Sequence, residues 1–126
     1  MLPFPIDLKA GVPITEQILF AVKKAVVSGQ LAPGIGFPSV RQLSQELRIN
    51  PNTAHRVVTD LADQGLLVTT PGVGSVVAPR QSAGRRERAE LLGPELEKLA
   101  VEARKLGLAL DEVQAALALQ WRKLGP

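Results

Sequence analysis

The chain has 126 residues, 45% of them hydrophobic, which suits one small domain with an appendage and excludes wholesale disorder. Cysteine is absent, so disulfides, thiolate metal sites and a cysteine nucleophile are excluded. The net charge of +3 is a weak pointer to an anionic partner, and 3% aromatic content argues against base stacking on single-stranded nucleic acid.

In chain order, a first helix is expected to start near Pro13, a residue suited to a first helical turn because its missing N–H would be unpaired there. Ile14, Ile18, Val22, Ala25 and Val26 follow at helical spacing, and Ser28-Gly29 end the helix. Gln30 to Gly36 is turn-rich. Ser39 is a good N-cap, with Gln42 in capping-box position, and Val40, Leu43 and Leu47 give the short second helix a buried side. Arg48-Ile49 form a turn.

Asn50 is the next N-cap, with Pro51 at the first helical position and the helix running to about Gln64. Its inner face is Ala54, Val57, Val58 and Leu61; its outer face carries Asn52, His55, Arg56 and Thr59. Gly65 closes it. Leu66–Thr70 and Ser75–Ala78 are β-prone and flank Pro71-Gly72-Val73-Gly74, the pattern of a hairpin. The expected fold class is mainly α with a small β-hairpin: a winged helix-turn-helix over residues 1–78, a linker over 79–84, and a short two-helix dimerisation or effector region over 85–126.

In that last region Leu92, Leu96, Leu99, Ala103 and Leu106 step 4, 3, 4, 3, with Gly93-Pro94 expected to kink or restart the helix and Gly107 to end it. Asp111 is expected to cap a final helix bearing Val113, Leu117, Trp121 and Leu124. So short a tail buries no convincing core alone, and a second copy is the simplest cover for its stripe. The expected dimer interface is Leu92, Leu96, Leu99, Leu106, Leu117 and Trp121.

Reading duplex DNA requires a helix that presents its first residues to base edges in the major groove, with neighbouring groups that hold phosphate and set the register. The Asn50 helix offers asparagine, threonine, histidine and arginine within seven residues. Asn can bond adenine bidentately, and Arg can bond guanine. Arg41, just inside the Ser39 helix, suits a phosphate, and the glycines of the wing loop allow close backbone approach.

Gly29-x-Leu31-x-Pro33-Gly34-x-x-Phe37-Pro38-Ser39-x-Arg41-x-Leu43 resembles the N-terminal signature of the GntR family. Ile49-Asn50-Pro51-Asn52-Thr53, Leu61-x-x-x-Gly65-Leu66 and Gly72-x-Gly74-Ser75-x-Val77 continue it in order. The Asn-Pro-Asn-Thr form, the short helical tail and Glu102–Leu108 are similar to the YtrA-like subfamily. The resemblance implies a homodimeric bacterial repressor that binds a double-stranded, pseudo-palindromic operator in the cytoplasm. It implies a phosphate contact at Arg41, a helix cap at Ser39, recognition-helix contacts at Asn50, Asn52 and Thr53, and a minor-groove contact by Gly72 at the wing tip. His55 stands where many members carry a base-reading arginine, with Arg56 one position later, so the resemblance implies the binding mode and not the operator sequence. Thr15 and Val58 replace residues that are often tyrosine.

Competing readings are weaker. A winged helix that binds protein should expose apolar residues where Asn52, His55 and Arg56 stand. An enzyme needs a nucleophile–base pair, a phosphate loop or metal spacing, none of which is present. His55 is the single histidine, so no metal or other cofactor is expected. A small-molecule effector is compatible with an interdomain or dimer-interface pocket, but no motif marks one. Arg41 could instead pair with Glu46 or Asp63. The basic residues Arg80, Arg85, Arg86 and Arg88 serve equally as a solubilising linker or as phosphate contacts. No apolar run approaches the roughly 20 residues of a membrane span, and the N-terminus lacks the basic region of a secretory signal.

Overall fold

In the computed structural model, which describes residues 1–80 and 84–125, Pro13 stands at the N-cap of α1 (Ile14–Val27). Its fixed φ, here −54°, turns the chain into the helix without losing a bond. Ile18, Val22 and Ala25 form the buried row. Ile14, expected on that row, is 43% exposed, because its turn lies beyond the edge of the core. The Gln17 side chain, facing away, ties down the preceding segment: it accepts from Lys9 N–H at 2.7 Å and donates to the carbonyls of Lys9 and Val12.

Two short helices follow, α2 (Val40–Leu47) and α3 (Pro51–Asp63). Ser39 Oγ accepts the Gln42 N–H at 3.1 Å, as a cap should, but the Gln42 side chain donates onward to Glu46, so the box is only half formed. Arg48 ends α2 in the left-handed region, at φ 55°, and the turn is stitched by Ile49 N–H to Ser44 O and Ser44 Oγ–H to Ile49 O. Asn50 Oδ1 accepts the Asn52 N–H at 2.8 Å and caps α3, with Pro51 in the first turn. Ala54, Val57 and Leu61 are closed to solvent. Gly65, at φ 76°, terminates the helix while Leu66 N–H returns to Leu61 O.

The wing is larger than the expected hairpin. β1 (Gly36–Phe37), β2 (Leu67–Thr70) and β3 (Gly74–Val77) form an antiparallel sheet in the order β1-β3-β2, with Phe37 opposite Ser75 and Val68 opposite Val76. β1 is too short to show alternation, so its sequence reads as loop. Gly34 N–H to Val77 O and Val77 N–H to Ile35 O, both 2.8 Å, tie it to β3.

Phe37 stacks on Phe4, ring centroids 5.9 Å apart, and Phe4 is only 3% exposed. The N-terminal segment therefore completes the core that α1, α2, α3 and the sheet share, with Leu2, Ile6 and Leu8 half-buried beside it.

The chain divides into two compact units, Met1–Arg80 and Gln81–Pro126. Of the expected linker 79–84, Arg80 belongs to the first unit, where its guanidinium donates to Val27 O at 2.9 Å. Residues 81–83 lie outside the described residues, and Gly84 is the N-cap of the next helix.

The second unit contains α4 (Arg85–Glu90), a π-helical turn (Leu91–Glu95), α5 (Leu96–Lys105) and α6 (Leu110–Lys123). The helix neither stops nor restarts at Gly93-Pro94. Pro94 lacks an N–H and its ring crowds the preceding turn; the wider π turn makes room for it.

Gly107, at φ 78°, ends α5 with Leu108 N–H bonded to Ala103 O. Asp111 does not cap α6. Ala109 is the N-cap, and Glu112 reaches back to its N–H at 3.3 Å, while Asp111 sits in the first turn and accepts from Glu112 N–H. A carboxylate there still favours the positive end of the helix. Among the described residues of this unit only Ala103 is buried.

Two stability measurements check these assignments. Phe4→Ala is expected to cost about 3 kcal/mol or more in denaturant unfolding, as a buried aromatic does; a loss below about 1 kcal/mol would detach the N-terminal segment from the core. Asn50→Ala should cost about 1 kcal/mol, whereas Asn50→Asp, which keeps an acceptor at the cap, should lose little.

Candidate nucleic-acid interface

The two faces of α3 have opposite chemistry because the helical repeat separates them. Ala54, Val57 and Leu61 point into the core, and Val58 is half-buried beside them. Asn52, His55, Arg56 and Thr59 occupy the opposite, exposed row. Ala54, Val57 and Leu61 pack α3 into the core shared with α1 and α2, and the polar row projects from its other side. Thr53, beside Asn52, is half-buried at the edge of that row. Asn50 is exposed at its start; the oxygen of its amide is engaged as the cap, and its NH₂ makes no bond among the described residues.

Arg41 lies in the first turn of α2, exposed, two residues after Ser39, whose hydroxyl is committed to the Gln42 N–H. The remaining N–H groups of that turn have no helical partner and carry the positive end of the helix dipole. Arg41 pairs with neither Glu46 nor Asp63. Glu46 is taken by the Met1 ammonium and by Gln42 Nε2, and the hydrogen bond from the ammonium holds its carboxyl below the usual carboxylate range. Among the described residues Arg41 has no ion-pair partner, so its guanidinium is free for an external anion.

At the wing, Thr70 O accepts the Val73 N–H at 3.0 Å across Pro71-Gly72. Proline in the second place of such a turn and a positive φ in the third, 78° at Gly72, are what a type II turn requires. The tip residues Pro71, Gly72 and Val73 are all exposed. A hydroxyl pair, Thr69 Oγ1 and Ser75 Oγ at 3.1 Å, braces the strands behind them.

The structure thus gathers Asn50, Asn52, Thr53, His55 and Arg56 on one helix, puts Ser39 and Arg41 at the start of the preceding one, and carries Gly72 on a separate projection. All but Thr53 are exposed. The described residues include no buried polar side chain and no cluster of His, Asp and Glu able to hold a metal. No described helix is long and apolar enough to cross a membrane. Leu92, Leu96, Leu99, Leu106, Leu117 and Trp121 of the second unit are exposed, up to 71% at Trp121. Sequence reasoning missed what holds the wing: β1 and the Phe4–Phe37 stack. Phe4 stands in an alternating apolar run, Leu2, Phe4, Ile6 and Leu8, and that period was the local signal that could have marked it as core.

The profile described as "Bacterial regulatory proteins, gntR family" matches residues 14–77, half of the chain. The HTH-type transcriptional repressor YtrA of Bacillus subtilis (strain 168) is 28% identical over 109 residues, covering 86% of this chain and 84% of its own length. Among solved structures, a transcriptional antiterminator from Listeria monocytogenes EGD-e superimposes with TM-score 0.86 at 26% identity, over 96% of this chain and 91% of that chain. AraR(DBD) in complex with operator ORE1 does so with TM-score 0.51 at 25% identity, over 60% of this chain and 92% of that chain. The family match falls on α1 through β3, the segment whose exposed residues form the surface just described, and the chain belongs to the GntR family of bacterial regulatory proteins: it is a DNA-binding transcriptional regulator, not an enzyme.

Proposed function

We propose that this chain is a cytoplasmic repressor that binds a pseudo-palindromic operator as a homodimer. The observation that carries the reading is the two-faced α3, a polar row of Asn52, His55, Arg56 and Thr59 backed by a row fully closed to solvent. Residues 1–80 bind DNA, and 85–126 dimerise. Asn52, Thr53, His55 and Arg56 face the major groove, with Arg56 suited to a guanine and Asn52 to an adenine. Ser39, Arg41 and Asn50 sit at helix starts against phosphates, and Gly72 brings backbone close to the minor groove.

The homodimer is supported by the second unit. Leu92, Leu96, Leu99 and Leu106 on one helix, and Leu117 and Trp121 on the next, leave an apolar surface on a unit with almost no interior of its own. Burying such a stripe against its own copy removes large apolar area from water at about 25 cal/mol per Å². Two recognition helices related by a two-fold axis then read half-sites about 10 bp apart, or a multiple of that. AraR(DBD) is seen on an operator, and YtrA is named a repressor; both agree with this assignment. An effector, where one acts, would bind in the dimer region.

Selection of duplex DNA by the purified chain is expected to enrich a pseudo-palindrome. Arg41→Ala should then weaken operator and unrelated duplex by the same factor, flattening the salt dependence by about one unit of log–log slope. Arg56→Ala should cost about 1–3 kcal/mol on the operator and relax one base position. Equal effects of both variants on all sequences would remove Arg56 from base reading. Removing residues 82–126 should leave a folded monomer with weak operator affinity; a dimer surviving that deletion in sedimentation would place the interface in the first unit.

A further inference from the structure

Four arginines follow the sheet, and the structure separates them. Arg80 is occupied at the Val27 carbonyl. Arg85, Arg86 and Arg88 are exposed, and none forms an ion pair among the described residues. With about 100° between successive residues, Arg85, Arg88 and Leu92 share one face of the helix, and Glu87 and Glu90 lie on the other. Arg85 and Arg88, at i and i+3, are therefore neighbours on a face that carries neither glutamate, and like charges so placed disfavour each other. Together with Ala89 and Leu92 they frame an open recess of about 440 Å³.

A repelling pair beside an open recess is relieved by one oxyanion held between the forks, and arginine matches phosphate geometry bidentately. Which phosphate follows from covalent reach. Arg85 comes eight positions after Val77, the last residue of the wing. Eight residues span at most about 28 Å when fully extended, less than the roughly 34 Å of one duplex turn. The pair is thus tethered within that span of the wing's last strand. Tethering at that range supplies an effective concentration of the order of millimolar.

We infer that Arg85 and Arg88 clamp a backbone phosphate of the bound duplex outside the footprint of the helix-turn-helix and wing. The inference rests on the DNA-binding reading above and extends its contact surface into the second unit. The clamp ends the same face that continues through Leu92 and Leu96, so the proposed dimer seam and the added DNA contact lie on one helix. It carries no base information: it adds affinity to every sequence alike.

The test uses the full chain, with Arg85→Gln/Arg88→Gln and Arg85→Lys/Arg88→Lys double variants. Operator and unrelated duplexes of equal length are titrated between about 50 and 200 mM salt, where phosphate contacts dominate the change in affinity, and sedimentation reports the oligomeric state. Each phosphate contact carries about 0.9 of log–log slope, so the Gln variant should be shallower by about 0.9 per protomer. Its affinity for both duplexes should fall by the same factor, leaving the preference for operator unchanged. The Lys variant should keep most of the slope. A Gln variant with wild-type slope overturns the clamp, as does a loss confined to the operator. So does a Lys variant as shallow as the Gln variant, which would make the effect one of packing and not of charge. Wild type that binds neither duplex would instead sink the DNA-binding reading, and the clamp with it.

Discussion

Everything that faces outward on this protein depends on the burial of one side of α3. Ala54, Val57 and Leu61 make no contact with water, and they meet Ile18, Val22 and Leu43 in one cluster. A helix held on that row has no freedom to rotate, so Asn52, His55 and Arg56 are presented at fixed angles. Recognition of base edges needs that rigidity, since a bidentate bond tolerates little misplacement. The caps serve the same end. Asn50 uses its carbonyl oxygen to close the first turn, which fixes where the helix starts and hence which residues lie nearest to a groove.

The sheet extends the same core to the exposed turn at Gly72. β1 contributes only two residues, yet one of them, Phe37, lies between Phe4 and the interior. Without it the pair β2–β3 would be a free hairpin, and isolated hairpins are marginal in water. With it, the exposed tip at Gly72 stands on a three-stranded base bonded back to the loop at Gly34 and Ile35.

The second unit is built differently: its leucines are exposed and line no interior. Pro94 stands within the π turn at Leu91–Glu95, whose wider coil makes room for its ring, and the helix runs on through it. The arginines that precede the stripe share its face, so apolar seam and positive charge follow one another along a single helix.

The helices of the first unit were legible in the sequence, because caps and periodicity are local. Ser39 and Asn50 announce helix starts, Gly65 and Gly107 their ends, and the polar row of α3 is visible from spacing alone. Tertiary structure decided the rest. Phe4 joins the core only because the N-terminal segment folds back on Phe37. β1 exists only because Val77 offers its N–H and C=O to Ile35 and Gly34. Ala109 rather than Asp111 caps α6, because Glu112 reaches the N–H there. Arg41 has no ion-pair partner among the described residues, whereas Arg80 donates to the carbonyl of Val27 at the end of α1. Residue type and spacing along one segment determine which groups can act; which of them are left unpartnered depends on neighbours distant in sequence, and no local pattern encodes those.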